Sequence, residues 1–255
     1  MGYKFDTKQG RANREDLVFT ECSLREKYAN MLKENPFLKL SDVITVIFRD
    51  EIIRMNLQPG FRINISEISE TLSVSRTPVA SAMDKLENEG LLQKAQGSNM
   101  LRVAPMDITN LILLCDARKT IEGGAAYLAS QHITTTELDQ LKKYCNKYVE
   151  AVSSSDKSQR FKHAEIDDSF HLLIVSASRN TYLMQAYLLL RNQLLRYRYY
   201  IDTIENRAGV DDTLFVSANT HVAIYNALKL RLASTAKVEA ERDSQNMHSI
   251  FSTLI

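Results

Sequence analysis

Between Ser66 and Leu92 the chain reads SEISETLSVSRTPVASAMDKLENEGLL, and this stretch leaves few folds open. Ile68 and Leu72 stand four apart, so the spacing predicts a short helix that opens at Ser66, whose hydroxyl can cap it, and stops at Ser73-Val74-Ser75. A second helix is predicted from Ser75 or Arg76. Pro78 falls in its first turn, where no useful hydrogen bond is lost, and Gly90 ends it. Val79, Ala82, Met83 and Leu86 share one face of this helix and would bury against the first. The opposite face offers Ser75, Arg76, Thr77, Ser81 and Lys85 to solvent. Such a face is either the polar outside of an ordinary helical hairpin or a reader of the DNA major groove. In a groove, its hydroxyls would bond phosphates and an arginine would reach the O6 and N7 of guanine.

The flanks decide between the two. Upstream, LQPGFRI at 57–63 places a Pro-Gly turn before a short strand. Downstream, Leu91-Leu92-Gln93-Lys94, Gly97-Ser98-Asn99 and Met100 to Val103 make two strands about a glycine turn, a wing. The words LQPGFRI, LSVSRTPV and LENEGLL, taken together, resemble the winged helix-turn-helix of the GntR family of bacterial transcription regulators. The resemblance implies a winged domain over residues 41–105 that binds double-stranded DNA through Arg62, Ser66, Ser75, Arg76, Thr77, Ser81, Lys85, Lys94 and Gly97. One departure is sharp: the family commonly reads RTPVREAL, and here the second arginine is Ala80. An altered operator preference, weaker binding or compensation from elsewhere in the chain is expected.

Charge sets a further condition. Residues 41–105 hold seven Lys or Arg against eight Asp or Glu, whereas a DNA binder usually shows a basic patch. Arg54, Arg62, Arg76, Lys94 and Arg102 must therefore share one side while Asp84, Glu87 and Glu89 point elsewhere. Residues 1–40 form an N-terminal extension with eight Lys or Arg against six Asp or Glu. Lys8, Arg11 and Arg14 could follow phosphates or enter a minor groove, or belong to a flexible tail. From Cys22 to Leu40 the spacing of Leu24, Tyr28, Met31 and Leu32 predicts a helix that packs on its own domain or on a partner subunit. The whole chain, 255 residues with 44% hydrophobic and 25% charged, is long enough for one or two globular domains. It contains no apolar run of membrane-spanning length and no signal-peptide core, so no membrane association and a cytoplasmic location are expected. Cys22, Cys115 and Cys145 lack metal-ligand spacing and read as buried or half-buried thiols.

Beyond Pro105 the pattern changes to long amphipathic helices, at about 107–131, 135–153, 158–177, 180–205, 213–231 and 234–254. The chain is thus mainly α, with an all-helical bundle over residues 106–255. Asp167 and His171 are four apart on one helix and project from the same face, and His221 and His248 sit on two later helices. One carboxylate and three imidazoles converging in a bundle suit a divalent ion: zinc first, with nickel, manganese or iron compatible. ARKTIEGGAAYLAS at 117–130, IDDSFHLLIVSASRN at 166–180, THVAIYNAL at 220–228 and MHSI at 247–250 resemble the FCD effector domain of the FadR subfamily. That resemblance assigns Asp167, His171, His221 and His248 as metal ligands. The interval from His221 to His248 is about five residues longer than usual, consistent with extra residues around Leu230 to Thr235. His163, one turn before Asp167, reads as near the site or on the surface.

Arg118 matches the arginine that in similar proteins reaches into the cavity, where its paired N–H groups suit a carboxylate; a salt bridge to Glu122 is the alternative. Asn180 is either a polar contact to the effector or a helix cap. Arg196-Tyr197-Arg198-Tyr199-Tyr200 either lends some of its hydroxyls and cations to the cavity or, the favoured reading, is an amphipathic helix with snorkelling arginines. The resemblance implies a homodimer whose operator binding responds to a small organic acid held by the metal and Arg118. Two other readings stay open: a metal-dependent enzyme acting on a small carboxylic acid, and a metabolite sensor whose DNA binding has decayed.

Overall fold

The computed structural model describes residues 21–95, 97–154, 162–208 and 212–254, with side chains described except at 21–22, 202–208, 212–213 and 248–254. Lys8, Arg11 and Arg14 lie outside the described residues, as do the side chains of Cys22 and His248. The chain divides into two compact units after Ala104.

The first unit contains α1 (Glu21–Glu34), α2 (Leu40–Ile53), α3 (Ile65–Leu72), α4 (Arg76–Asn88), β1 (Leu92–Lys94) and β2 (Leu101–Val103). α3 opens one residue earlier than the sequence predicts. Asn64, not Ser66, is its cap: the Asn64 side-chain oxygen accepts from the Ser66 and Glu67 N–H groups. The tight turn to α4 is made by Ser73 in the left-handed region, φ 56°. α4 ends where predicted: Gly90 takes φ 69°, and its N–H and that of Leu91 return to the carbonyls of Glu87 and Leu86. β1 and β2 pair antiparallel, Leu92 opposite Val103, and the Pro-Gly segment joins them through a single bridge between Arg62 and Arg102. The Val79, Ala82, Met83 and Leu86 face of α4 is buried with Ile44, Phe48, Ile52 and Leu57 in one core.

α1 belongs to this core. Leu24 and Tyr28 are buried in it, and Met31 and Leu32 pack at its edge. Its polar residues hold the other helices: Arg25 Nε donates to the Thr71 carbonyl at 2.8 Å, and Lys27 pairs with Glu51, a fully buried carboxylate that also accepts from Asn56 at 3.0 Å. A buried carboxylate is costly unless paired.

The second unit is helical throughout its described residues: α5 (Ile108–His132), α6 (Thr135–Ser153), α7 (Lys162–Ala177), α8 (Thr181–Ala208), α9 (Asp212–Lys229) and α10 (Ala233–Leu254). Small residues decide how α5 meets α10. Ala126 and Ala129 of α5 and Ala236 and Ala240 of α10 are buried in one cluster, and a Cβ added at Gly123 would come within 2.8 Å of the Glu241 side chain. The two backbones therefore approach closely. Only Leu230, Arg231 and Leu232 separate α9 from α10, so no lengthened loop accounts for the long His221 to His248 interval. Arg231 instead donates to the Ser130 and Ile133 carbonyls at 2.9 and 2.6 Å, capping the end of α5. No helix among the described residues is long and apolar enough to cross a membrane.

Candidate functional site

Five helices of the second unit place charged side chains at one buried spot. The i, i+4 spacing of α5 sets Arg118 over Glu122, and Arg118 Nε donates to Glu122 Oε1 at 2.8 Å. The same spacing on α7 brings Asp167 and His171 to one face, with His171 Nε2 3.7 Å from Asp167 Oδ1. α9 contributes His221, whose Nε2 lies 3.1 Å from Asp167 Oδ1. α10 contributes a residue that the sequence reading missed, Asp243: its Oδ2 is 3.2 Å from His171 Nε2 and its Oδ1 is 3.7 Å from His221 Nε2. α8 adds Arg198, which pairs with Asp167 through Nε. All of these side chains are buried.

Each histidine is held by neighbours. Glu122 Oε2 lies 2.9 Å from His171 Nδ1, which turns Nε2 towards the two aspartates. His221 is stacked on Phe170, with ring centroids 4.3 Å apart, and meets Tyr148 edge-on at 4.7 Å. Asp243 is oriented by Thr220, whose hydroxyl donates to Oδ1 at 2.6 Å, and by Arg118 Nη2, which donates to Oδ2 at 2.7 Å and lies 2.8 Å from His171 Nε2. A cavity of about 30 Å³ opens beside the cluster, lined by Arg118, Asp167, Arg198, Asp243, Ser217 and His163 among others. That is room for about two water-sized groups.

Three carboxylates of the cluster face two guanidiniums, and His171 supplies the third positive charge when it is protonated. Asp167, Asp243 and Glu122 face Arg118 and Arg198, while the neighbouring Asp168 is taken by Arg191 at 2.6 Å. Burial alone would raise all three carboxyls, but Arg198 and His171 beside Asp167, and Arg118 beside Asp243 and Glu122, outweigh it and hold them below the usual carboxylate range. Burial likewise disfavours a charged His171, yet Glu122 and Asp167 prevail over it and over Arg118, so its proton affinity is well above that of an ordinary imidazole.

These side chains fit a metal ion. With bonds of about 2.1 Å, neighbouring ligand atoms lie about 3.0 Å apart at right angles and about 3.4 Å apart at the tetrahedral angle. The four separations among Asp167, His171, His221 and Asp243 run from 3.1 to 3.7 Å. Neither ring nitrogen of His221 makes a hydrogen bond among the described residues, and a buried, unsatisfied donor or acceptor calls for a partner.

The other sequence-predicted positions divide. Arg118 is paired with Glu122 and also lines the cavity. Asn180 is a cap: its Oδ1 accepts from the Tyr182 and Leu183 N–H groups at 3.0 and 3.1 Å. Arg196 and Arg198 are buried rather than snorkelling; two apart, they leave different faces of α8, and Tyr197 and Tyr199 are buried as well, so the helix is covered on all sides here. His163 is buried in the cavity wall. The His248 side chain lies outside the described residues; Asp243 stands five positions earlier on the same helix. Subtracting the surplus of the His221 to His248 interval lands on Asp243, which is the signal that could have found it.

In the first unit Ser75, Arg76 and Thr77 are exposed at the start of α4, Ser81 is half-buried, and Arg62, Arg102, Lys94 and Gly97 are exposed on the wing side of the sequence. Of the acidic residues, Glu89 is engaged by Arg49 and Glu87 by Lys94, while Asp84 is exposed. Lys85 pairs with Asp42, which draws it away from a free DNA-facing role, and Ser66 spends its N–H on the Asn64 cap. Arg62, Arg76 and Arg102 are left as exposed cations without an ion pair among the described residues.

A winged helix-turn-helix unit and a separate helical bundle with a buried charged cavity are the architecture of a DNA-binding regulator with a second domain. The family comparisons agree: residues 40–100 match the bacterial regulatory proteins of the gntR family, and residues 113–242 match the FCD domain. The chain belongs to the GntR family and carries an FCD domain; it is a transcriptional regulator and not an enzyme. The HTH-type transcriptional repressor RspR of Escherichia coli is 27% identical over 210 residues, covering 77% of this chain and 82% of its own. The Nta operon transcriptional regulator of Aminobacter aminovorans is 25% identical over 169 residues, covering 65% and 76%. Among solved structures, E. coli McbR/YncC has the same fold, with a TM-score of 0.66 at 20% identity over 85% of this chain and 99% of that one.

Proposed function

We propose that this regulator is a homodimer in the cytoplasm, that it reads a two-fold operator with α4 and the wing, and that a small organic acid bound at a divalent metal in the helical bundle sets its operator affinity. The observation that carries the effector half is a pair of metal-ligand triads that share His171, one with Asp167 and His221 and the other with Glu122 and Asp243, beside a cavity that two guanidiniums also line. A bound divalent ion would act as a Lewis acid for an oxygen ligand. The chain's own residues do the rest: Glu122 orients His171, Phe170 and Tyr148 fix His221, and Arg118 and Arg198 present N–H groups to the cavity. Charge closure supports an anionic effector. With His171 neutral, three carboxylates against two guanidiniums leave one negative charge; a divalent ion reverses it, and one carboxylate restores neutrality.

The DNA half rests on Arg76, Thr77 and Ser75 at the exposed start of α4, with Arg62 and Arg102 beside it in sequence register on the sheet. Two like charges directly opposite across a sheet repel, and a phosphate between them relieves that repulsion. Ala80 removes the family's second arginine, so the operator differs from one read by RTPVR. The test is a band shift with DNA from the intergenic region upstream of the protein's own gene, repeated with metal-loaded protein and a panel of sugar acids, hydroxy acids and dicarboxylates. A shifted band that one class of acid strengthens or weakens is expected. Binding that no acid alters would remove the effector role, and no binding at all would leave a sensor without DNA recognition.

A further inference from the structure

We infer that Asp243 is the fourth metal ligand, and that the resulting shell of two imidazoles and two carboxylates serves an oxygen-preferring ion such as Mn²⁺ better than a three-histidine shell would. The inference rests on the metal site proposed above and names its donor set and its preference.

Three observations on α10 carry it. Asp243 reaches both histidines, at 3.2 Å from His171 Nε2 and 3.7 Å from His221 Nε2, the same range that separates those rings from Asp167. Its carboxylate is buried and preset: Thr220 and Arg118 each donate to one of its oxygens, leaving further lone pairs for a cation. The groups that hold it are themselves fixed, because Ala236 and Ala240 let α10 lie close enough to α5 for Arg118 to reach across. An aspartate with this surrounding is a built ligand, since ligating carboxylates carry hydrogen bonds of their own.

The donor chemistry then sets the preference. Imidazole suits zinc, copper, iron and nickel, whereas carboxylate oxygen suits manganese, magnesium and calcium. Two aspartates also bring two negative charges, which match those of the divalent ion they would hold. Zinc still binds, because its affinity exceeds that of manganese at nearly any such site, but the margin between the two narrows.

The experiment uses the full chain stripped of metal and then titrated with Mn²⁺ alone, followed by electron paramagnetic resonance of the free ion, and with Zn²⁺ alone against a chelating dye. Wild type, Asp243→Asn, Asp243→Glu, Asp243→His and His248→Ala are compared, each checked for helix content by circular dichroism. One ion per chain is expected in wild type. Asp243→Asn should weaken Mn²⁺ binding by about tenfold or more, Asp243→Glu should restore part of it, and His248→Ala should change nothing. Asp243→His should raise the ratio of zinc to manganese affinity by about tenfold. Loss of binding in His248→Ala with none in Asp243→Asn overturns the assignment while leaving the metal site intact. Folded wild type that takes up neither ion overturns the metal site itself, and this inference with it.

Discussion

Cys145 sits among Ala129, Leu141, Phe170 and Ile224 as a small apolar side chain, and burial pushes its thiol up to about 12. A thiol reacts as the thiolate, so at pH 8 almost none is available. Iodoacetamide in the native state should label Cys145 only as fast as the bundle opens, and the same holds for Cys115, raised to about 11 by burial; mass spectrometry against a urea-unfolded control measures this, and rapid native labelling would refute the packing. Reading these cysteines as buried thiols needed only their lack of metal-ligand spacing in the sequence. Asp167, His171 and His221 were equally legible, because i, i+4 spacing and the flanking words place them. Asp243 was not. It stands between Arg242 and Ser244 in a run that includes Glu239 and Glu241, and such a run reads as a solvated face; only the close approach of α10 to α5 buries it. Arg198 was missed for the matching reason, since YRYY gives no sign that α8 is covered on all sides there. At the DNA surface, Arg76→Ala should weaken operator binding and lower its salt dependence by about one unit of slope, or relax one base position if the contact is to guanine; binding measured at several salt concentrations separates the two.

Helices were the easiest part of the chain to read, and the six of the bundle fall within a few residues of their predicted ranges because each carries a long apolar stripe bounded by polar turns. What the stripes do not reveal is which pair packs closest. The α5–α10 contact depends on alanines, and alanine marks a close approach only once both helices are in place. Ala240→Leu should cost about 1–3 kcal/mol by overpacking. It should also reduce metal uptake, since it pushes Asp243 away from His171. Urea denaturation and a metal titration of the same variant test both effects, and a variant that loses stability but keeps full metal affinity would uncouple them. α1 is the matching case in the first unit. Its sequence left open whether it packs on its own domain, and the structure gives it Leu24 and Tyr28 in the core with Lys27 on the buried Glu51. Replacing Leu24 and Tyr28 together by alanine should destabilise that unit by about 4 kcal/mol or more. The readout is a thermal melt in which the transition that abolishes operator binding falls while the bundle's transition stays in place.

At the scale of the whole molecule, the two units must exchange free energy if the proposed function is right. An acid that changes operator affinity by a given factor must have its own affinity changed by the same factor when the operator is bound, because both bindings bias one equilibrium. Couplings of this kind are usually 1–3 kcal/mol, about 5- to 150-fold. The residues needed at each end are different, and that separation makes the coupling testable. Arg76→Ala removes a cation from α4 and should leave acid and metal binding in the bundle untouched. His221→Ala removes a metal ligand and should leave the exposed face of α4, and hence operator binding without effector, close to wild type. With the acid present, wild type should differ from His221→Ala in operator affinity by the full coupling factor. Calorimetric titration of the acid into protein with and without operator should return that factor again. Equal acid affinities in the two titrations, beside an operator affinity that the acid changes, would violate linkage and point to a second acid site on the DNA-binding unit. Equal affinities in both directions would mean that the bundle binds its ligand without informing the winged domain.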